Sequence, residues 1–371
     1  MIKNKCFQDD WLDGFKNQKR YNKIDKTILE KMIYALHLVE QLKLNGLDFT
    51  FKGGTSLLLL LKEGNRFSID IDIISNADRD ELEKILNRVI DSSRFTSCKL
   101  DETRSYQPGV PKAHYKFFFQ SQKRGSGTIL LDILLEESIY PEHTKIPVQT
   151  QWIETDRDTL IKVPTIDAIT GDKLTAFAPN TTGIPYFKGK DRQSFSMEIC
   201  KQLFDLSKLF EHIKKMEVVA TSFQKFAEKE INYRKNEDPK SELSPEKVLN
   251  DVIETGLILA NRGKGSNEEQ KNFRELQNGI KAFGTGFLMT GKFRIDEAIS
   301  AAAKVSYLAA KILSADYSRI EYYDGKKIDD LLIEDKAWNV LNRLKRLPDK
   351  SAFFYWYQTV ELLKTIQVGK R

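Results

Sequence analysis

The sequence predicts an α+β fold, with strands and helices mixed over residues 1–164 and helices alone over residues 165–371. Three observations predict it. Ser68–Ile73 alternates isoleucine with serine or aspartate, the period of a strand, so Asp70 and Asp72 share one face and Ile69, Ile71 and Ile73 the other. A run of short strand candidates follows at 95–100, 114–119, 128–135, 145–149 and 160–163. Val163-Pro164 closes that run, because proline cannot donate to a ladder and the residue before it resists helix. From Thr165 onward apolar residues recur at helical spacing, as in Ile199, Leu203, Leu206, Phe210 and Ile213.

The elements read in order as follows. Residues 1–26 are charged and aromatic and form an arm or a short helix. Ile28, Met32, Leu36, Val39 and Leu42 define a helix over 25–45. A short extended segment, 47–52, leads into a glycine pair and a helix over 55–62. The Asp-x-Asp strand spans 68–74, and a helix covers 80–90. Beyond the strands, Thr165 is a plausible cap for a helix ending near Ala178, and Pro179–Arg192 is a polar loop. Helices are then expected at 196–213, 217–234, 245–261, 268–283, 296–313, 327–346 and 352–366. No internal repeat or low-complexity tract interrupts them.

Bulk properties exclude several classes. With 40% hydrophobic and 30% charged residues the chain is an ordinary folded protein. A net charge of +6 leans toward a polyanionic partner, and a mixed solvated surface explains it equally well. Cys6, Cys98 and Cys200 are far apart and form no CxxC pair, which fits a reduced compartment. Residues 1–20 lack an apolar h-region, and the longest apolar runs, 57–61 and 352–357, are too short to span a bilayer. A cytoplasmic protein without a membrane partner is expected.

The chemistry concentrates between residues 51 and 73. Asp70 and Asp72 on one face repel each other unless a divalent cation lies between them or both are solvated. Oxygen ligands at this spacing suit Mg²⁺, which takes one or two carboxylates plus substrate phosphates. Gly53-Gly54 lets backbone approach a ligand, and Thr55 and Ser56 open a helix whose N–H groups favour phosphate. The plainer readings are an acidic surface strand and a turn with a Ser/Thr cap. Asp132, alone in the apolar stretch Ile129–Leu135, is either a third site carboxylate or a strand-end acid reaching solvent. Gly286–Lys292 has P-loop spacing, but Phe293 replaces the magnesium-binding hydroxyl and a helical stretch precedes it, so it reads as an inter-helix loop. His37, His114, His143 and His212 lack partners at a recognisable triad spacing.

Gly53-Gly54-Thr55-Ser56, then Arg66-x-Ser68-x-Asp70-Ile71-Asp72, then Asp132, resembles the polymerase-β-like nucleotidyltransferase fold. The Arg-x-Ser-x-Asp-x-Asp form is similar to the AbiEii/AbiGii toxin family, which includes the MenT-type toxins. The resemblance implies a mixed sheet flanked by helices over 1–164, followed by an α-helical domain over 165–371 that completes the nucleotide site. It implies a metal held by Asp70, Asp72 and Asp132, and phosphates met by Gly53, Gly54, Thr55, Ser56, Arg66 and Ser68. Asp172-Lys173-Leu174 matches the family's lysine motif, so Lys173 would offset triphosphate charge. Lys201–Leu206 matches its aspartate motif with Asp205 as the acid, although Gln202 stands where relatives often carry Asp. Asp191, in the basic Lys188–Arg192 loop, is the alternative acid. Lys188, Lys190 and Arg192 either contact nucleic-acid phosphates or are simply solvated. The implied activity is Mg²⁺-dependent transfer of a nucleoside monophosphate from an NTP to a hydroxyl such as the 3′ end of tRNA. The implied setting is a type IV toxin–antitoxin or phage-defence, abortive-infection system whose antitoxin need not bind stably. An NTP- or RNA-binding module without turnover and an aminoglycoside-type nucleotidyltransferase are the alternatives.

Overall fold

The computed structural model describes residues 1–21, 24–62, 66–105, 109–122, 125–189 and 191–369. The chain divides into two compact units: Met1–Thr165 with Phe287–Gly291, and Ile166–Gly286 with Lys292–Arg371.

In the first unit, α1 (Asp9–Lys16) and α2 (Lys26–Leu44) precede β1 (Thr50–Lys52), α3 (Gly53–Leu60), β2 (Ile71–Ser75) and α4 (Arg79–Ser92). Then come β3 (Phe95–Leu100), the single turn α5 (Glu102–Ser105), β4 (Lys112–Phe119), β5 (Gly127–Leu135), β6 (His143–Pro147) and β7 (Leu160–Pro164). Five strands form one sheet in the order β1-β2-β5-β4-β3. β2 and β5 run parallel and the other neighbours antiparallel, so the sheet is mixed. β6 and β7 form a separate two-stranded sheet.

Strand alternation sorts the faces. Phe51, Ile71, Ile73, Leu131, Ile133 and Phe117 are buried in one cluster with α2 and α4. Fully burying one such side chain contributes about 1.5–3 kcal/mol, which fixes the register, since a one-residue slip would turn all of them outward. The opposite face carries the intervening polar residues.

Two boundaries differ from the sequence expectation near the glycine turn. The helix begins at Gly53 itself, not at Thr55. The Asp-x-Asp strand begins at Ile71, so Asp70 is exposed and precedes the ladder instead of belonging to it. The reason is partner supply. Pairing with β1 reaches only from Ile74 to Asp72, and pairing with β5 starts at Ile71. Residues 68–70 are tied instead to the glycine turn.

His37 on α2 packs edge-on to Phe7 and stacks on Phe95, at ring distances of 5.2 and 5.8 Å, with Nδ1 3.8 Å from Glu40 Oε2. Burial lowers its pKa and outweighs the opposing pull of Glu40. An unfolded imidazole titrates near about 6.5, so the unfolded chain takes up the proton first as pH falls. This contribution to stability is whole above about 6.5 and is lost below it. The denaturation midpoint is expected to drop between pH 7.5 and pH 5, and to drop less in His37→Phe. An equal drop in both proteins would show that His37 is not the titrating group.

The second unit contains α6 (Ile166–Ala176), a hairpin of β8 (Phe187–Lys188) and β9 (Gln193–Ser194), and α7 (Ser196–Phe210). It continues with α8 (Met216–Glu237), α9 (Pro245–Ala260), α10 (Asn267–Gly286), α11 (Ile295–Leu313) and α12 (Ser351–Gly369). α11 is the packing centre: Ala301, Ala302, Ala303, Ala309 and Ala310 are buried where it meets α7, α9 and α12. Two expectations are corrected here. The loop 179–192 contains a strand, β8, and the helix at 327–346 is absent. Only Asn339–Arg346 is helical there, as a 3-10 turn. Side chains take the backbone groups that a helix would use: Asn342 bonds both N and O of Ile333, and Asp335 Oδ1 accepts from Ala337 N. Among the described residues no helix is long and apolar enough to cross a membrane.

Candidate active site

Register brings four polar side chains into one row across the open face of the five-stranded sheet. Lys52 on β1 is opposite Asp72 on β2, Asp72 is beside Asp132 on β5, and Asp132 is opposite His114 on β4. Adjacent strands lie about 5 Å apart, so the two carboxylates are within reach of one small cation. Asp132 is thus a mid-strand residue beside Asp72, and the strand-end reading is excluded.

The glycine turn abuts this row. Gly53 has φ of 75°, and a Cβ built on it would fall 2.0 Å from Asp72 Oδ2. Only a residue without a side chain lets the carboxylate rest against the backbone there. A Cβ on Gly54 would fall 2.4 Å from an Arg66 guanidinium nitrogen and 2.9 Å from Ser68 Oγ. The Thr55 hydroxyl donates to the Asp70 carbonyl at 2.6 Å and lies 2.8 Å from the Ser68 hydroxyl. Ser56 Oγ donates to the Gly53 carbonyl at 2.8 Å. Both hydroxyls are fully buried, so they brace the turn. Lys52, the residue capping α3, gives no side-chain bond to the first turn, leaving backbone N–H groups at a positive helix end beside the carboxylates. Arg66 is buried, donates to the Phe67 carbonyl at 3.0 Å, and bridges to Leu288. The Phe67 N–H bonds the Phe287 carbonyl at 2.8 Å, and Met289 enters the first unit's core. The P-loop look-alike is therefore an inter-helix segment that serves as an edge for the Arg66 turn.

Asp132 has two nitrogen-bearing neighbours that sequence reasoning missed. His114 Nδ1 bonds Asp132 Oδ1, and Arg104 reaches Oδ2 at 3.5 Å. The partner of His114 lies across a strand pair, where sequence spacing carries no information. The available signal was the alternation of Tyr115, Phe117 and Phe119, which sends His114 to the polar face. His143 also has a neighbour, Ser138 Oγ at 2.9 Å from Nε2, and burial lowers its pKa. Burial pushes the Cys98 thiol up to about 12 and raises Cys200, so neither is a ready nucleophile. One step along the same face lies a 240 Å³ cleft lined by Thr50, Ile74, Ser138 and Lys162 among others.

Among the described residues no three His, Cys, Asp or Glu side chains form a metal cage. The donor set still fits Mg²⁺, which needs only one or two carboxylates when phosphates complete its shell. Asp70 is exposed and Asp72 half-buried, both oxygen donors beside a phosphate-favouring helix end.

In the second unit, Lys173 on α6 donates to Asp205 Oδ2 at 2.8 Å and to Gln202 Oε1 at 2.9 Å, both on α7. The lysine and aspartate side chains are 6% and 2% exposed, a buried pair. Asp191 is exposed in the β8–β9 turn, so Asp205 and not Asp191 is the acid on Lys173. Gln202 binds the lysine as a neutral acceptor. Lys188 and Arg192 lie on the hairpin, and Lys190 lies outside the described residues.

Residues 38–280 match the profile of a family described as "Nucleotidyl transferase AbiEii toxin, Type IV TA system". Among solved structures, the chain is similar to a candidate nucleotidyltransferase from H. pylori, with 15% identity over 67% of this chain and 95% of that one and a TM-score of 0.32. It is also similar to an antigenic nucleotidyltransferase-like protein from Paracoccidioides brasiliensis, with 11% identity over 56% and 91% of the two chains and a TM-score of 0.34. No curated protein matches it. The family match runs from α2 to α10 and takes in both the Gly53–Asp72 turn and the Lys173–Asp205 pair, so the chain belongs to the AbiEii family of nucleotidyltransferase toxins of type IV toxin–antitoxin systems.

Proposed function

We propose that the chain uses Mg²⁺ to move a nucleoside monophosphate from an NTP to a hydroxyl of RNA, with the 3′ end of tRNA as the acceptor. The acceptor O–H attacks the α-phosphorus, a new P–O bond forms, the bond to the β-phosphate breaks, and pyrophosphate leaves. The observation that carries the reading is the in-register pair Asp72–Asp132 with the Gly53 backbone against Asp72. Asp70 and Asp72 would hold the metal, which when bound would offset phosphate charge. The α3 N-terminus at Gly53 and Gly54 would cradle the phosphates, with Thr55, Ser56, Arg66 and Ser68 keeping that turn in shape. Asp132, whose oxygens His114 and Arg104 engage, would either bind a second metal or accept the acceptor's proton. Lys173 is the proposed cation for the phosphate tail, with Asp205 and Gln202 positioning it. Placement in the cytoplasm, action against phage, and an antitoxin that forms no stable complex belong to the same proposal.

The test is purified protein with Mg²⁺, α-labelled nucleotides and total tRNA. Label is expected on RNA, and Asp72→Asn is expected to lower transfer on the order of 10³-fold, as loss of several kcal/mol of charge stabilisation requires. Nucleotide binding without transfer to any acceptor would replace the enzyme with a binding module. Label on an aminoglycoside and none on RNA would move the acceptor class.

A further inference from the structure

The β8–β9 hairpin and the solvent face of α10 lie together. Ser194 and Ser196 hydroxyls donate to Glu275 Oε2 on α10 at 2.9 and 3.1 Å. Three cations here are held on aromatic rings: Arg192 at 4.9 Å and Lys271 at 5.4 Å from the Phe187 centroid, and Lys188 at 4.8 Å from that of Phe195. Such contacts limit side-chain freedom, so the charges are preorganised and lose less entropy on binding an anion. Lys271, Arg274, Asn278, Lys281 and Thr285 follow one another at helical spacing on α10, and all are exposed. Those five positions carry no acid, and the exposed Glu268 lies one turn before Lys271. Glu275 sits at the edge of this stripe and is turned to the two serines, and the exposed Asp191 is the acid in the hairpin turn. From Lys271 to Lys281 the helix rises about 15 Å, enough to follow a few phosphates of one strand.

We propose that this face is where the sugar–phosphate chain of an RNA acceptor docks, an inference that rests on the reading of transfer to RNA. An acidic protein fits less well. A protein partner needs apolar or aromatic anchors at the centre of its contact, and among the described residues the exposed large hydrophobic ones, Leu44, Leu160, Tyr317, Leu332 and Val340, all lie on other elements. Between the cations of α10 the exposed residues are Gln277 and Asn278, and Thr285 follows one turn after Lys281; all three suit phosphate and sugar oxygens.

The experiment measures binding of end-labelled tRNA and a labelled single-stranded RNA across a salt series, beside transfer at subsaturating RNA. The variant is Lys271→Glu/Arg274→Glu/Lys281→Glu, with the corresponding triple alanine protein. A control reverses three exposed lysines elsewhere on the unit, Lys225, Lys235 and Lys240. Affinity of the stripe variant should fall at least about 10-fold, and the slope of log affinity against log salt should shrink by about 2–3. Nucleotide binding without RNA should not change. Equal losses in stripe and control proteins, or RNA binding within about twofold of the parent, would overturn the surface. If the parent binds RNA through the stripe but transfers nothing, the surface stands and the transfer reading fails. If label reaches RNA equally in parent and stripe variant, the transfer reading stands and the surface fails.

Discussion

Gly53→Ala should nearly silence nucleotide transfer while leaving a folded protein. Two separable effects act at this position. The first is backbone strain, because alanine at φ 75° costs about 1–2 kcal/mol. The second is displacement, because the new methyl would fall 2.0 Å from Asp72 Oδ2 and 2.8 Å from its carboxyl carbon. Asp72 must swing or the turn must shift, and a misplacement near 1 Å in a reacting geometry costs roughly 10²-fold. Gly46→Ala separates the two. Gly46 has φ of 93° but open space around its Cβ position, so it carries the strain without the collision. Both variants should lose a few degrees of thermal stability. Only Gly53→Ala should lose transfer, by about 10²-fold or more. Equal activity in the two would mean that Asp72 does not need the backbone approach.

Much of this arrangement was legible because it rests on local period and composition. Alternation in Ser68–Ile73 and the apolar stretch Ile129–Leu135 placed the strands, and the acid inside that stretch marked Asp132 as unusual. Register was not legible. That Asp72 stands beside Asp132 depends on a parallel crossover, and that Asp132 stands opposite His114 on an antiparallel pairing, and no short sequence window encodes either offset. The start of β2 failed for the same reason: Ser68–Asp70 has the period of a strand but no partner strand, and the Thr55 hydroxyl takes the Asp70 carbonyl. Residues 327–346 have helical spacing, and the backbone contacts of Asn342 and Asp335 defeat it. Arg104 was missed because it acts from a single helical turn between strands, where nothing in the pattern points toward Asp132.

Lys173→Met should destabilise the protein strongly, and adding Asp205→Leu should restore most of the loss without restoring transfer. The pair is nearly inaccessible to solvent, so removing the lysine leaves a carboxylate buried without its ammonium. Breaking such a pair from one side costs about 3–5 kcal/mol, whereas replacing both partners by apolar groups of similar volume is often neutral. Asp205→Leu alone leaves the ammonium with Gln202 Oε1 and should also be costly. Thermal unfolding of the four proteins closes the cycle. The transfer assay adds what stability cannot, since a purely structural pair would let the double variant work as well as the parent. A folded double variant that is inactive ties Lys173 to the phosphate-charge role; a folded and active one removes it. Asp191→Ala completes the comparison, because an exposed turn residue should change stability by less than about 0.5 kcal/mol. If Asp191→Ala abolished transfer and the double variant kept it, the acid of the last motif would be the one in the hairpin turn.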